Sequence, residues 1–231
     1  MSSHADRVSR VLGVDGDRNG WVAVVLADGR FESAHLAATL EELHSQSGRV
    51  EAIAIDMPIG WCRGPRESDR LARKELGRRA STIFNAPPAA VRSATTYAEA
   101  NERSRAETGK GLAAQSWALV PKIREATDFA ATRESVFESH PELTFTQLGD
   151  GEPPSHPKRT WAGQRERMAR LEAAGILLPD ELGTAGAAGA EDVIDAAAVA
   201  WTAARFGRDE ARALPPGLET DVDGRDVAIW V

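Results

Sequence analysis

Five acids stand where the chain is otherwise apolar. They are Asp15 in VLGVDGDRNGWVAVVL, Asp56 in VEAIAIDMPIG, Glu138 in SVFES, and the pair Asp192 and Asp195 in EDVIDAAA. A carboxylate at the tip of a buried run is costly to desolvate unless something answers its charge. The chemistry that uses several such groups together is two-ion phosphoryl transfer. Mg2+ takes oxygen ligands in near-octahedral geometry and commonly keeps few carboxylates beside water and phosphate. Two ions about 3.5–4 Å apart stabilise the attacking and leaving oxygens of an in-line displacement. On this reading Asp15, Asp56, Glu138 and Asp195 bind Mg2+ or Mn2+, Asp192 assists, and water is the nucleophile. Plainer readings stand beside it. Asp15 can form an Asx turn with Gly16 ahead of Asn19-Gly20, Asp56 can accept from loop amides, and Asp192 suits the first turn of a helix. Asp195 resists such a reading, because it lies among Val193, Ile194 and alanines.

The elements must carry these acids to one place. Residues 10 to 15 and 21 to 27 read as buried strands, and Asp28-Gly29 is a hairpin signal that leads into a third strand over 30 to 36. Thr39 caps a short helix, and the run ending at Asp56 joins as a fourth strand after that crossover. Asp15, Asp56 and Glu138 then sit at strand C-terminal ends, where ligands bind in open α/β sheets. Asp192 and Asp195, three apart at the start of a helix, share one face. Helices are predicted over 67 to 79, 96 to 107, 115 to 127 and 160 to 174. Glu138 ends a short strand over 135 to 138, and 149 to 157 reads as a loop. The stretch GTAGAAGA (183 to 190) reads as a flexible connector, and the tail from 217 to 231 as a hairpin turning at Asp223-Gly224.

Basic residues surround the acids in sequence. Residues 63 to 79 hold seven cations against three acids. Within them Arg66, Asp69, Arg70 and Arg73 fall on one helix face. Arg66 and Arg73 could clamp phosphate oxygens, or pair with Asp69. Lys122, in SWALVPKI, and Lys158 are candidate phosphate contacts, and His140 is close enough to Glu138 to shuttle a proton. Trp61, Trp117 and Trp161 could stack on bases or serve as core.

The whole chain of 231 residues carries a net charge of −7, with 42% hydrophobic and 27% charged residues, which suits one soluble globular domain over 1 to 231. That acidity argues against tight, sequence-independent binding of duplex nucleic acid. It leaves a small or structured nucleic acid or nucleotide as the expected partner. A single cysteine, Cys62, excludes an internal disulfide and any multi-cysteine metal site. No run approaches the roughly 20 apolar residues that span a bilayer. The N-terminus MSSHADRVSR lacks the apolar centre of a signal peptide, so a cytoplasmic location and no membrane partner are expected.

The element order, together with acids at Asp15, Asp56, Glu138 and Asp192/Asp195, resembles the RNase H-like superfold. The DxxD of the last long helix is similar to that of Holliday-junction resolvases. More closely, GVDGDRNGWVAV, IDMPIG, RESDRLARKELG, STIFNAPP, QSWALVPKI, FESHPELTF and EDVIDAAA resemble the family called domain of unknown function 429, described as predicted nucleases. The likeness runs from about residue 10 to the tail and includes Arg66, Asp69 and Arg73. It implies an α/β fold with an RNase H-like mixed sheet, a three-stranded antiparallel meander plus parallel strands, flanked by helices. It also implies a helical insertion of about 61 to 132 after the fourth strand. The activity it implies is that of a metal-dependent nuclease. Where the family often has cysteine or another small residue, this chain has Asp17, which either adds an oxygen to the site or shapes the turn. Two rival functions remain open. One is a nucleotide phosphohydrolase or phosphotransferase, since actin-like kinases share a related core. The other is a non-catalytic binding or regulatory module.

Overall fold

The computed structural model describes residues 9–231. Most of the N-terminal segment read above for a signal peptide lies outside the described residues. The chain opens with strands β1 (Arg10–Asp17), β2 (Gly20–Ala27) and β3 (Arg30–Ala37), an antiparallel meander. Helix α1 (Leu40–Ser47) follows, capped by the Thr39 hydroxyl, which accepts from the Glu42 amide. Strand β4 (Ala52–Asp56) then pairs parallel with β1. The segment that follows carries α2 (Glu67–Leu76), α3 (Tyr97–Thr108) and α4 (Ala114–Ala130), with two 3-10 turns between α2 and α3. It returns to the sheet as β5 (Val136–Ser139), parallel to β4. Helices α5 (Pro141–Leu148), α6 (Trp161–Ala173) and α7 (Ala190–Phe206) lead to β6 (Ala213–Thr220) and β7 (Asp226–Trp230). Seven strands of the described residues form one sheet in the order β3-β2-β1-β4-β5-β7-β6. This mixed sheet between helices is the α/β, RNase H-like arrangement that the resemblance implied.

Side-chain alternation along each strand divides the core into two layers. Val11, Val22, Val24, Ala52, Ala54 and Phe137 pack under α7. Leu12, Val14, Ala23, Val25, Ile53 and Ile55 pack on the other face, against α1 and α4 through Leu40, Leu43, Val120, Ile123 and Ala126. The α7 layer is thin because its helix offers small residues: Ala196, Ala197, Ala198 and Ala200 are all fully buried. Gly13 thins it further. A Cβ there would lie 2.1 Å from the Ala196 carbonyl oxygen and 2.2 Å from the Ala200 nitrogen. Only glycine lets β1 meet the α7 backbone so closely.

Several expectations needed correction. The helix predicted over 67 to 79 ends at Leu76, because Gly77 turns to a φ of 51° and a 3-10 turn carries on to Thr82. The stretch GTAGAAGA is not a loose connector. Gly183–Ala187 forms a 3-10 turn with Ala185 fully buried, and the Thr184 hydroxyl accepts from the Leu36 amide. Helix α5 was not foreseen; PELTFTQL mixes apolar and β-branched residues, but Pro141 at its first turn is favourable and His140 caps it. The terminal hairpin does turn at Asp223-Gly224. It also extends the main sheet, with β7 parallel to β5.

Candidate metal centre

Asp15 lies on β1 directly opposite Asp56 on β4. The two point the same way for a simple reason of parity. Asp15 is two residues from Gly13 and four from Val11, Asp56 two from Ala54 and four from Ala52, and all of these face α7. Asp195 lies one residue before Ala196, where α7 presses on β1. Asp15, Asp56 and Asp195 can each offer an oxygen, all within 4.8 Å of one another. They open into a cavity of about 570 Å3, whose lining also includes Lys122, His140, Glu142, Lys158 and Asp192.

Three acids this close oppose one another's ionisation. Burial, and then the charges of Asp56 and Asp195, hold the Asp15 carboxyl well above its ordinary range. Burial, and then Asp195, push Asp56 up to about 8. Burial raises Asp195 too, against the pull of Lys158. The Lys158 Nζ donates to Asp195 Oδ2 at 2.6 Å. Burial works against that ammonium, but Asp195 outweighs it and holds its pKa above the usual lysine range.

Whether a divalent cation suits the site can be judged from what is left unsatisfied. When ionised, the three carboxylates face one ammonium, so two negative charges lack an answer. Asp195 Oδ1 is buried without a hydrogen-bond partner, as are Glu142 Oε2 and Glu191 Oε2, and all three residues line this cavity. Oxygen-only donors of this kind are what hard divalent cations take. The residues fit such an ion, with Asp15, Asp56 and Asp195 as its holders.

A family model described as a protein of unknown function (DUF429) matches residues 13–220. The chain belongs to that family. No curated protein and no solved structure matches the chain.

In this DUF429 chain the remaining candidates take other places. Glu138 lines the same cavity but does not join the triad. It pairs with Ile55 across the β4–β5 ladder and so follows the face opposite Asp56. There Arg66 grips it with two hydrogen bonds of 2.7 Å, while the Ile59 amide donates to Oε2 at 2.9 Å. Arg66 also holds Asp69 Oδ1, at 3.0 and 2.5 Å. This buried Glu138–Arg66–Asp69 group ties β5 to α2 and leaves Arg66 only 2% exposed, which is not the posture of a phosphate clamp. Arg73 donates to the Ile83 carbonyl. Lys122 lies 4.2 Å over the Trp21 ring and donates to the Gly20 carbonyl, at the edge of the cavity. His140 Nδ1 accepts from the Glu142 amide, and burial followed by Lys158 pushes its pKa down to about 4, so it is neutral near pH 7.

Asp192 lines the cavity outside the triad, with burial and Glu191 raising it to about 6. Asp17 shapes the turn: its Oδ1 accepts from Asn19 and its Oδ2 from Gly189. Trp61 is core, whereas Trp161 is 78% exposed and lies outside the cavity lining. Sequence reasoning missed Glu142. Arg167 binds its Oε1 in a buried pair, leaving Oε2 free beside the acids. The signal available was faint, an acid in the first turn of an unforeseen helix.

Proposed function

We propose that the protein is a divalent-metal-dependent phosphodiesterase acting as a nuclease on small, structured or terminal nucleic acid. The observation that carries this reading is the convergence of Asp15, Asp56 and Asp195 from two adjacent parallel strands and one helix within a single cavity. Mg2+ or Mn2+, when bound, supplies Lewis-acid stabilisation of the charge that develops on a phosphoryl group. The three aspartates hold that ion on rigid elements, where position is best kept. Lys158 and Lys122, both lining the cavity, supply positive charge toward an incoming phosphate. Glu142, on the same wall, keeps Oε2 as a buried acceptor without a hydrogen-bond partner. His140 is neutral near pH 7 and its Nδ1 is engaged by the Glu142 amide, so it caps α5 rather than shuttling a proton.

A nucleotide phosphohydrolase is a second reading, favoured by the size of the cavity. About 570 Å3 falls within the roughly 300–1,000 Å3 of small-ligand pockets. A binding module would be favoured by acids neutralised by arginine. That describes Glu138, but not Asp15 or Asp56.

The test is hydrolysis of single-stranded, branched and duplex DNA and RNA and of nucleoside triphosphates, with Mg2+ or Mn2+, by the wild type and by Asp15→Asn. Metal-dependent cleavage of a polynucleotide, lost in the variant, is the expected result. Turnover of nucleotides alone moves the assignment to the second reading. Metal binding without turnover of any substrate leaves the binding module.

A further inference from the structure

We infer that Lys158 takes the place of a second metal ion, so that the triad is a one-ion site completed by a fixed ammonium. This rests on the metal-binding reading of the triad and departs from the two-ion arrangement expected from the acids alone. The first argument is occupancy. Two ions about 3.5–4 Å apart would have to share the oxygens of the same three aspartates. Asp195 has Oδ2 engaged by Lys158 at 2.6 Å. Asp15 has Oδ1 engaged by the Gly16 amide, also at 2.6 Å. Each is left one unengaged oxygen, so only Asp56 keeps both oxygens free, and the triad has one aspartate rather than three for two ions to share.

The second argument is charge. One divalent ion and one ammonium balance three carboxylates. A second divalent ion would find little further negative charge, because Glu138 and Glu142 already have partners in Arg66 and Arg167, and Asp192 stands outside the triad. The third argument is placement. Lys158 precedes α6 and reaches across to α7, with its side chain still 37% exposed. It lines the same cavity as Asp15, Asp56 and Asp195, so a phosphate bound beside the triad would meet its ammonium.

The experiment is titration of Mn2+ into the metal-free protein by calorimetry, with electron paramagnetic resonance of the loaded samples, for wild type, Lys158→Arg and Lys158→Met. Wild type and Lys158→Arg are expected to take one Mn2+ per chain with the spectrum of an isolated ion. Lys158→Met frees Asp195 Oδ2 and is expected to take two, with a spin-coupled spectrum. Two ions in the wild type overturn the proposal and leave the metal site standing, as does a Lys158→Met chain that still takes one. No binding by any of the three overturns the metal reading itself. Should Lys158→Met fail to fold, the wild-type stoichiometry and its spectrum decide alone.

Discussion

Arg66 is the residue on which the neighbourhood of the site leans most heavily. It is buried between two acids, and its guanidinium satisfies both oxygens of Glu138 and one of Asp69. Removing one partner from a buried ion pair costs about 3–5 kcal/mol, because the stranded charge has no water to turn to. Each kcal/mol moves Tm by roughly 2–4 °C in a chain of this length. Arg66→Ala is therefore expected to lower Tm by roughly 10 °C, read by calorimetry. A change of a degree or two would mean that solvent reaches Glu138 and that the group contributes little. The triad behaves oppositely, since its charges oppose folding. Asp56→Asn removes a buried carboxyl whose pKa burial and Asp195 raise to about 8. That variant should be more stable than metal-free wild type at pH 8.5, while losing Mn2+ affinity by tenfold or more. Lower stability at that pH would show that Asp56 makes favourable contacts as an ion.

At the scale of elements, the site depends on how closely α7 lies on β1. Asp195 is carried by the helix, Asp15 and Asp56 by the strands, and Gly13 with the buried alanines of α7 sets the gap between them. A methyl group at residue 13 would meet backbone atoms, which cannot rotate away. Gly13→Ala is expected to sit at or above the upper end of the roughly 1–3 kcal/mol that overpacking costs. It should also weaken Mn2+ binding, although no ligand is touched. Denaturant unfolding and calorimetric titration of the same preparation check both effects. Lost stability with unchanged affinity would mean that the strands and α7 move together as one body.

For the whole molecule, the acids set a pH dependence whose sign follows from their raised pKa values. Asp56 has an ordinary value of 3.8 and a folded value of about 8, and Asp15 and Asp195 move the same way. The folded state thus holds protons that the unfolded chain gives up. The contribution is fully present below about pH 4 and is lost as pH rises through about 8. Metal-free protein should show a falling Tm between pH 5 and pH 9. A divalent ion binds the ionised acids, so saturating Mn2+ should raise Tm most at the alkaline end and flatten the profile. A slope that persists unchanged in Asp56→Asn would place the titration elsewhere. Among the described residues no helix is long and apolar enough to cross a membrane.

Much of this was open to reading in the sequence, for reasons that are local. The meander, the Thr39 cap, β4 and α7 follow from alternation, turn residues and a capped periodic run, which act over a few residues. The same local logic picked out Asp15, Asp56 and Asp195 as acids out of keeping with apolar surroundings. What the sequence could not determine was which face each acid takes and what answers its charge. Glu138 lies one residue from the end of β5 and Asp56 ends β4, yet the register of β4 against β5 turns Glu138 to the opposite face and into the grip of Arg66. Lys158 is 37 residues from Asp195 and meets it only because α6 and α7 pack together. Glu142 and the burial of Ala185 likewise arise from packing across the chain. Residue type and spacing determined the candidates; strand register and the close approach of α7 decided which three of them converge.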